Sequence, residues 1–106
     1  MPLIRSQAGI VTQINVFTVP EGGQQALIDH LCEAARLCRK DVPGWLSASL
    51  HRSHDGTRVA NYAQCRDMSS WHAVMETLRG HGFIDGNRRF GTAHPGLYDV
   101  VATFER

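Results

Sequence analysis
Two asparagines stand in stretches whose other residues favour β-strands. Asn15 interrupts the β-branched run Ile14–Val19, and Asn61 lies within Val59-Ala60-Asn61-Tyr62-Ala63-Gln64. Asparagine is depleted in strands, and a buried amide without a partner is costly. Each therefore needs a structural hydrogen bond or a ligand. As a functional group, the Asn61 side-chain NH2 donates to an oxygen on which negative charge develops. The plainer role is to hold a backbone group at a sheet irregularity. Alternation places Val59, Asn61, Ala63 and Cys65 on one face, with Tyr62 and Gln64 on the other. His51 offers an imidazole, a group that takes a proton or polarises a carbonyl. Its alternative is a solvent-facing histidine beside a hairpin. His54 reads as plain surface.

Trp71 supplies a flat wall and one N–H donor, or simply a core tryptophan. Phe17 and Leu50 are apolar wall candidates that serve equally well as core. Cys65 is either a reactive thiol or, as is commoner, a small buried hydrophobe. Six histidines and three cysteines invite a test for metal, but no pair has ligand spacing. His30 and Cys32 point to different faces of a helix, so no metal is expected. Gly80, Gly82, Gly86 and Gly91 do not form a phosphate loop, and neither nucleotide nor flavin is implied. The pair Arg88-Arg89 meets an acidic substrate group at a pocket mouth or is solvated surface.

The elements that must position these groups fit one domain. The chain has 106 residues, 42% of them hydrophobic and 20% charged, which suits one small globular core. Eleven basic against ten acidic side chains argue against binding nucleic acid or an anionic membrane by charge. They also leave little repulsion against self-association. The odd cysteine count, without CxxC spacing, points to a reducing cytoplasm rather than a disulfide scaffold. The first residues lack the apolar stretch of a secretory signal, and no run is long enough to span a membrane.

Residues 1–9 read as a short tail and 10–106 as a single domain. Ile10–Val19 is a β-branched strand closed by Pro20-Glu21-Gly22-Gly23. A helix follows over 23–40, with Leu27, Leu31, Ala34, Ala35 and Cys38 at buried spacing. Val42-Pro43-Gly44 stops it. Trp45–Arg52 and Thr57–Cys65 are strands joined through Asp55-Gly56, a strong hairpin signal. Met68–Leu78 is helical, a short helix falls around Asp85–Phe90, and Leu97–Phe104 is the last strand. The order β-α-β-β-α-β predicts an α+β, ferredoxin-like fold with a four-stranded antiparallel sheet and two helices on one face. Its other face, with Ile14 and Val16, needs a cover, and a second copy of the chain is the simplest one.

Ile14-Asn15-Val16-Phe17-Thr18-Val19, Val42-Pro43-Gly44-Trp45-Leu46-Ser47-Ala48 and the run from His51 to Gln64 follow one another in order. Together they resemble the antibiotic biosynthesis monooxygenase family, whose members are dimeric α+β barrels. The Asn-Tyr-Ala-Gln run makes the match specific, and the resemblance covers residues 10–78. It implies a homodimer formed through the sheet face and a small aromatic substrate oxidised with O2. The most similar functional members are cofactor-independent oxygenases that convert anthrone-type intermediates to quinones. No cofactor is then required: a phenolic or quinol-type substrate loses a proton, and its carbanion reduces dioxygen.

By this resemblance Asn61 matches a pocket asparagine that stabilises an oxyanion, and His51 a histidine that assists proton removal. Asn15 and Trp71 position the ligand, with Phe17, Leu50 and Cys65 on the pocket wall. Many relatives carry tryptophan where this chain has Cys65, which implies a roomier or differently shaped pocket. That departure also favours an alternative, a non-catalytic binding or accessory protein of the same fold. A haem-degrading monooxygenase fits less well. It relies on that tryptophan and on a helix histidine, and neither His72 nor His81 falls on the matching position.

Overall fold
Seven elements form in the order β1 (Val11–Thr18), α1 (Gln24–Asp41), β2 (Trp45–Arg52), β3 (Arg58–Cys65), α2 (Met68–Gly80), α3 (Phe83–Asn87) and β4 (Thr92–Tyr98). They come from a computed structural model that describes residues 9–106. Of the expected tail, residues 1–8 lie outside the described residues. The strands form one antiparallel sheet in the order β2-β3-β1-β4. This is the expected α+β, ferredoxin-like arrangement.

Register decides which side chains meet. Asn15 lies opposite Asn61, and Phe17 opposite Val59. Directly opposed residues share a sheet face, so both pairs look toward the helices. Phe17, Leu27, Leu31 and Val59 form one buried cluster there. Cys38, Val42, Cys65 and Val74 form another. The α1 stripe follows its predicted spacing except at Ala35, which is only half-buried. Full burial of a leucine or phenylalanine contributes about 1.5–3 kcal/mol, so Phe17 and Leu27 anchor α1 to the sheet.

A tight joint sets the second helix. Asp67 caps α2 by accepting from the Ser70 N–H at 2.8 Å, the Ser70 hydroxyl at 2.7 Å and the Ser69 hydroxyl at 3.1 Å. Buried Ser70 fills the space over Gly44, where an added Cβ would come within 1.8 Å of its Oγ. The Arg66 N–H donates to the Gly44 carbonyl at 2.7 Å. The α1–β2 connection is thereby locked to the start of α2, one residue before Trp71.

The last strand departs from expectation. It spans Thr92–Tyr98 rather than Leu97–Phe104, and residues 99–106 form no regular element. As an edge strand, β4 needs backbone partners on one side only, so Pro95 is tolerated in it. Val101 and Phe104 are 93% and 92% exposed. The short helix also begins earlier than expected, at Phe83.

Hydrogen bonds from the Ser70 side chain and backbone lower the Asp67 carboxyl from 3.8 to about 2. A depressed folded-state pKa adds stability that is complete above the unfolded value and disappears as pH falls through the folded one. Thermal unfolding should therefore show Asp67→Ala melting below the parent at pH 7. The gap should close between about pH 4 and pH 2, because acid removes the same cap from the parent. A gap that stays constant over that range would exclude this role.

Candidate active site
Between the sheet and the helices lies a cavity of about 670 Å³. Its sheet floor includes Gln13, Asn15, Asn61, Ala63 and Cys65, and its helix roof includes Leu31, Ala34, Trp71, Val74 and Met75. Phe83, Ile84, Asn87 and Arg88 contribute from the α3 region. Members of both core clusters reach its wall, so packing that stabilises the fold also shapes the hollow.

The polar groups in this apolar space are unusual in one respect. The Oδ1 atoms of Asn15, Asn61 and Asn87 are buried and make no hydrogen bond among the described residues. All three residues line the cavity. Leaving a buried acceptor unpaired costs about 1–3 kcal/mol, so three around one hollow leave its wall with unmet hydrogen-bond demand. Asn15 is only 8% exposed, and the register sets its side chain beside that of Asn61. Rotation about χ2 exchanges O and N, so each amide serves as acceptor or donor.

Trp71 lines the cavity and also packs against the Cys38–Val74 cluster, so it is wall and core together. Phe17 does the same in the other cluster, fully buried. Cys65 is on the wall, paired across the sheet with Trp45, which also lines the cavity. The neighbouring strand thus sets an aromatic side chain beside position 65. Burial, reinforced by Asp41, raises the Cys38 thiol to about 11. Burial, with smaller contributions from Cys38 and Asp67, raises Cys65 equally. Both are neutral thiols at physiological pH.

Two expected site residues lie elsewhere. His51 pairs with Ala60, whereas Leu50 pairs with Asn61. Strand alternation therefore sends the imidazole to the opposite face of the sheet from Asn61. There it is exposed and 2.9 Å from the Ser49 hydroxyl. The expected convergence of imidazole and amide does not occur within this chain. Leu50 faces the helices but packs against the Phe17–Val59 cluster and lines a smaller neighbouring pocket. The main cavity ends short of it.

Sequence reasoning missed Asn87 altogether. Phe83, Ile84 and Asn87 lie at helical spacing on the cavity side of α3, a pattern hidden inside a glycine-rich stretch. Arg88 lines the cavity while remaining exposed, as a residue at its mouth does. Among the described residues, no group of three His, Cys, Asp or Glu side chains is arranged to hold a metal ion. No helix among them is long and apolar enough to cross a membrane.

Fold and cavity define the class: a ferredoxin-like α+β domain with an amide-floored hollow under its helices. The chain belongs to the antibiotic biosynthesis monooxygenase family, whose pattern matches residues 10–80. It is 32% identical over 104 residues to the tetracenomycin F1 monooxygenase of Streptomyces glaucescens, covering 98% of this chain and 93% of that protein. Its fold is shared by solved structures that include two oxygenases. The cofactor-independent oxygenase SnoaB from Streptomyces nogalater gives a TM-score of 0.81 at 21% identity, over 93% of this chain and 100% of its own. A monooxygenase from the gene ActVA-Orf6 of Streptomyces coelicolor, solved with nanaomycin D, gives 0.77 at 23% identity over 92% of both chains.

Neutral, buried thiols resist alkylation and exchange. At pH 7.5, Ellman's reagent should quickly modify about one thiol per chain, half-exposed Cys32, and all three after guanidinium unfolding. Rapid titration of all three in the folded protein would show that Cys38 and Cys65 are open to solvent.

Proposed function
We propose that this chain is an oxygenase that uses O2 without a cofactor to oxidise a planar phenolic, anthrone-type or quinol-type molecule. The carrying observation is the pair of unpartnered amides, Asn15 and Asn61, side by side on the floor of the apolar cavity. The monooxygenase relative at 32% identity supports the same reading. A ring of fused aromatics satisfies the apolar walls, and its hydroxyl and carbonyl groups satisfy the amides.

Asn61 turns its NH2 toward the ring oxygen that gains charge as the substrate loses a carbon-bound proton. Asn15 fixes the orientation from the adjacent strand. Trp71 bounds the ring plane, fully buried Phe17 backs the wall, and Cys65 leaves space at its edge. The carbanion gives electrons to O2. The ring CH2 becomes C=O, and the second oxygen atom leaves as water, so one O2 is consumed per quinone formed. The cavity wall, as described, carries no carboxylate or imidazole, so His51 has no part in this scheme. The proton leaves through water or the substrate's own phenolate. The same wall offers no imidazole to haem iron, so the haem-degrading alternative does not fit it. Cys65 still favours the other alternative, a binding protein without turnover.

The chain is proposed to act as a homodimer through the outer sheet face. Ile14, Val16 and Tyr62 there are only half-buried, and Val101 and Phe104 are open in the segment beyond β4. Light scattering after gel filtration should give twice the chain mass. Val101→Asp with Phe104→Asp should shift it toward one, and a parent that runs as a monomer would refute the arrangement.

Oxygen uptake with an anthrone, with no flavin or metal added, tests the activity. Asn61→Ala should lower turnover by about a hundredfold, the effect of losing one oxyanion donor. His51→Ala should stay within about threefold of the parent, as befits a residue outside the pocket. Full activity in Asn61→Ala would remove the assigned role. Tight binding without oxygen uptake would establish the accessory-protein alternative.

A further inference from the structure
We propose that Asn87 is a specificity-determining residue that accepts a hydrogen bond from a free hydroxyl on the ligand edge remote from Asn15 and Asn61. The site would thus select fused-ring phenols that carry a free hydroxyl, one not tied to a ring carbonyl, at that remote edge. This inference rests on the functional reading above, which places an aromatic ligand in the cavity.

Three observations carry it. The Asn87 Oδ1 is buried, lines the cavity and lacks a partner among the described residues. It belongs to α3, whereas the other two orphaned amides belong to the sheet, so the polar demands come from two different walls. Finally, α3 is fastened in place. The His30 ring lies with its centroid 5.1 Å from that of Phe83 and 4.9 Å from that of Phe90. Its Nε2 is 3.4 Å from the Phe83 carbonyl. Buried Gly86 sits so close to this ring that an added Cβ would stand 2.9 Å from His30 Cε1. The residue next to Asn87 is therefore pressed against α1, and the amide is preorganised rather than carried on a loose loop.

An unpaired acceptor rejects a ligand that leaves it unpaired, which is how a polar site discriminates hydroxylated from unhydroxylated analogues. Its cavity neighbours Phe83 and Ile84 are apolar and supply no competing donor. Arg88 at the mouth is exposed and contributes charge rather than selection by a buried contact.

The test uses two stable quinones, 1,8-dihydroxyanthraquinone and 1,3,8-trihydroxyanthraquinone. Hydroxyls at positions 1 and 8 are tied to the ring carbonyl, so only the second quinone has a free donor at a far edge. Quenching of Trp45 and Trp71, both on the cavity wall, reports binding without turnover. The parent should bind the trihydroxy compound about tenfold more tightly, the value of one hydrogen bond. Asn87→Ala should reduce that ratio to within about twofold, and Asn87→Asp, which keeps an acceptor, should preserve it. A parent with no preference, or an Asn87→Ala variant that keeps the tenfold ratio, overturns the proposal. If neither quinone quenches, both it and the oxygenase reading fail. An intact ratio without oxygen uptake from the matching anthrones supports the role of Asn87 and removes the oxygenase reading alone.

Discussion
A buried amide must be hydrogen-bonded or leave a standing energetic debt, and here the demand is concentrated in one hollow. Asn15 and Asn61 are paired across β1 and β3, so a single register fixes both at once. A slip by one residue would turn both to the other sheet face. Phe17 opposite Val59, packed under Leu27 and Leu31, opposes that slip. The apolar contacts that fold the domain thus also aim its polar groups.

The helices complete this arrangement by roofing the hollow. Asp67, Ser70 and Gly44 place the first turn of α2, and Trp71 follows directly over the cavity. The environment that keeps Cys38 and Cys65 protonated strengthens any hydrogen bond made inside, because weak screening raises both the reward for pairing and the penalty for failing to pair. Cysteine at position 65 then contributes mainly shape. Its partner across the sheet is Trp45, which brings an aromatic side chain to the same stretch of wall.

Much of the fold was legible in local patterns. The Trp45–Arg52 strand has the expected limits, and Asp55-Gly56 makes its turn with Gly56 at φ +81°. Asp55 binds the Thr57 N–H and hydroxyl, which draws Thr57 into the turn and starts β3 one residue later than expected. Strand alternation set Asn61 on one face with Ala63 and Cys65, and the family resemblance implied a hollow shared by Asn15, Asn61 and Trp71, all of which line the cavity. His51 was misplaced although the information was present. With Ala48 and Leu50 on the helix side, strict alternation sends position 51 outward, and the motif match obscured that parity. The irregularity between Trp45 and Ser47 concealed a second fact, since it brings Trp45 to the cavity side. The last strand was less accessible, because Pro95 and Gly96 suppress strand propensity that edge pairing restores. Asn87 escaped for a related reason: glycines at 80, 82, 86 and 91 mask the short helix that aims it.

The start of α1 has neither an acidic residue in its first turn nor a side-chain cap. Gln24 ties it down instead, donating from Nε2 to the carbonyls of Ser53 and Arg58 at 3.1 and 2.9 Å. Those carbonyls belong to the β2–β3 hairpin, so the helix start and the hairpin tip share one fastening. Amide hydrogens in these two places, distant in the chain, then become exchangeable through a common opening event. A cooperative unit joined in this way has a boundary that follows a side chain rather than the backbone.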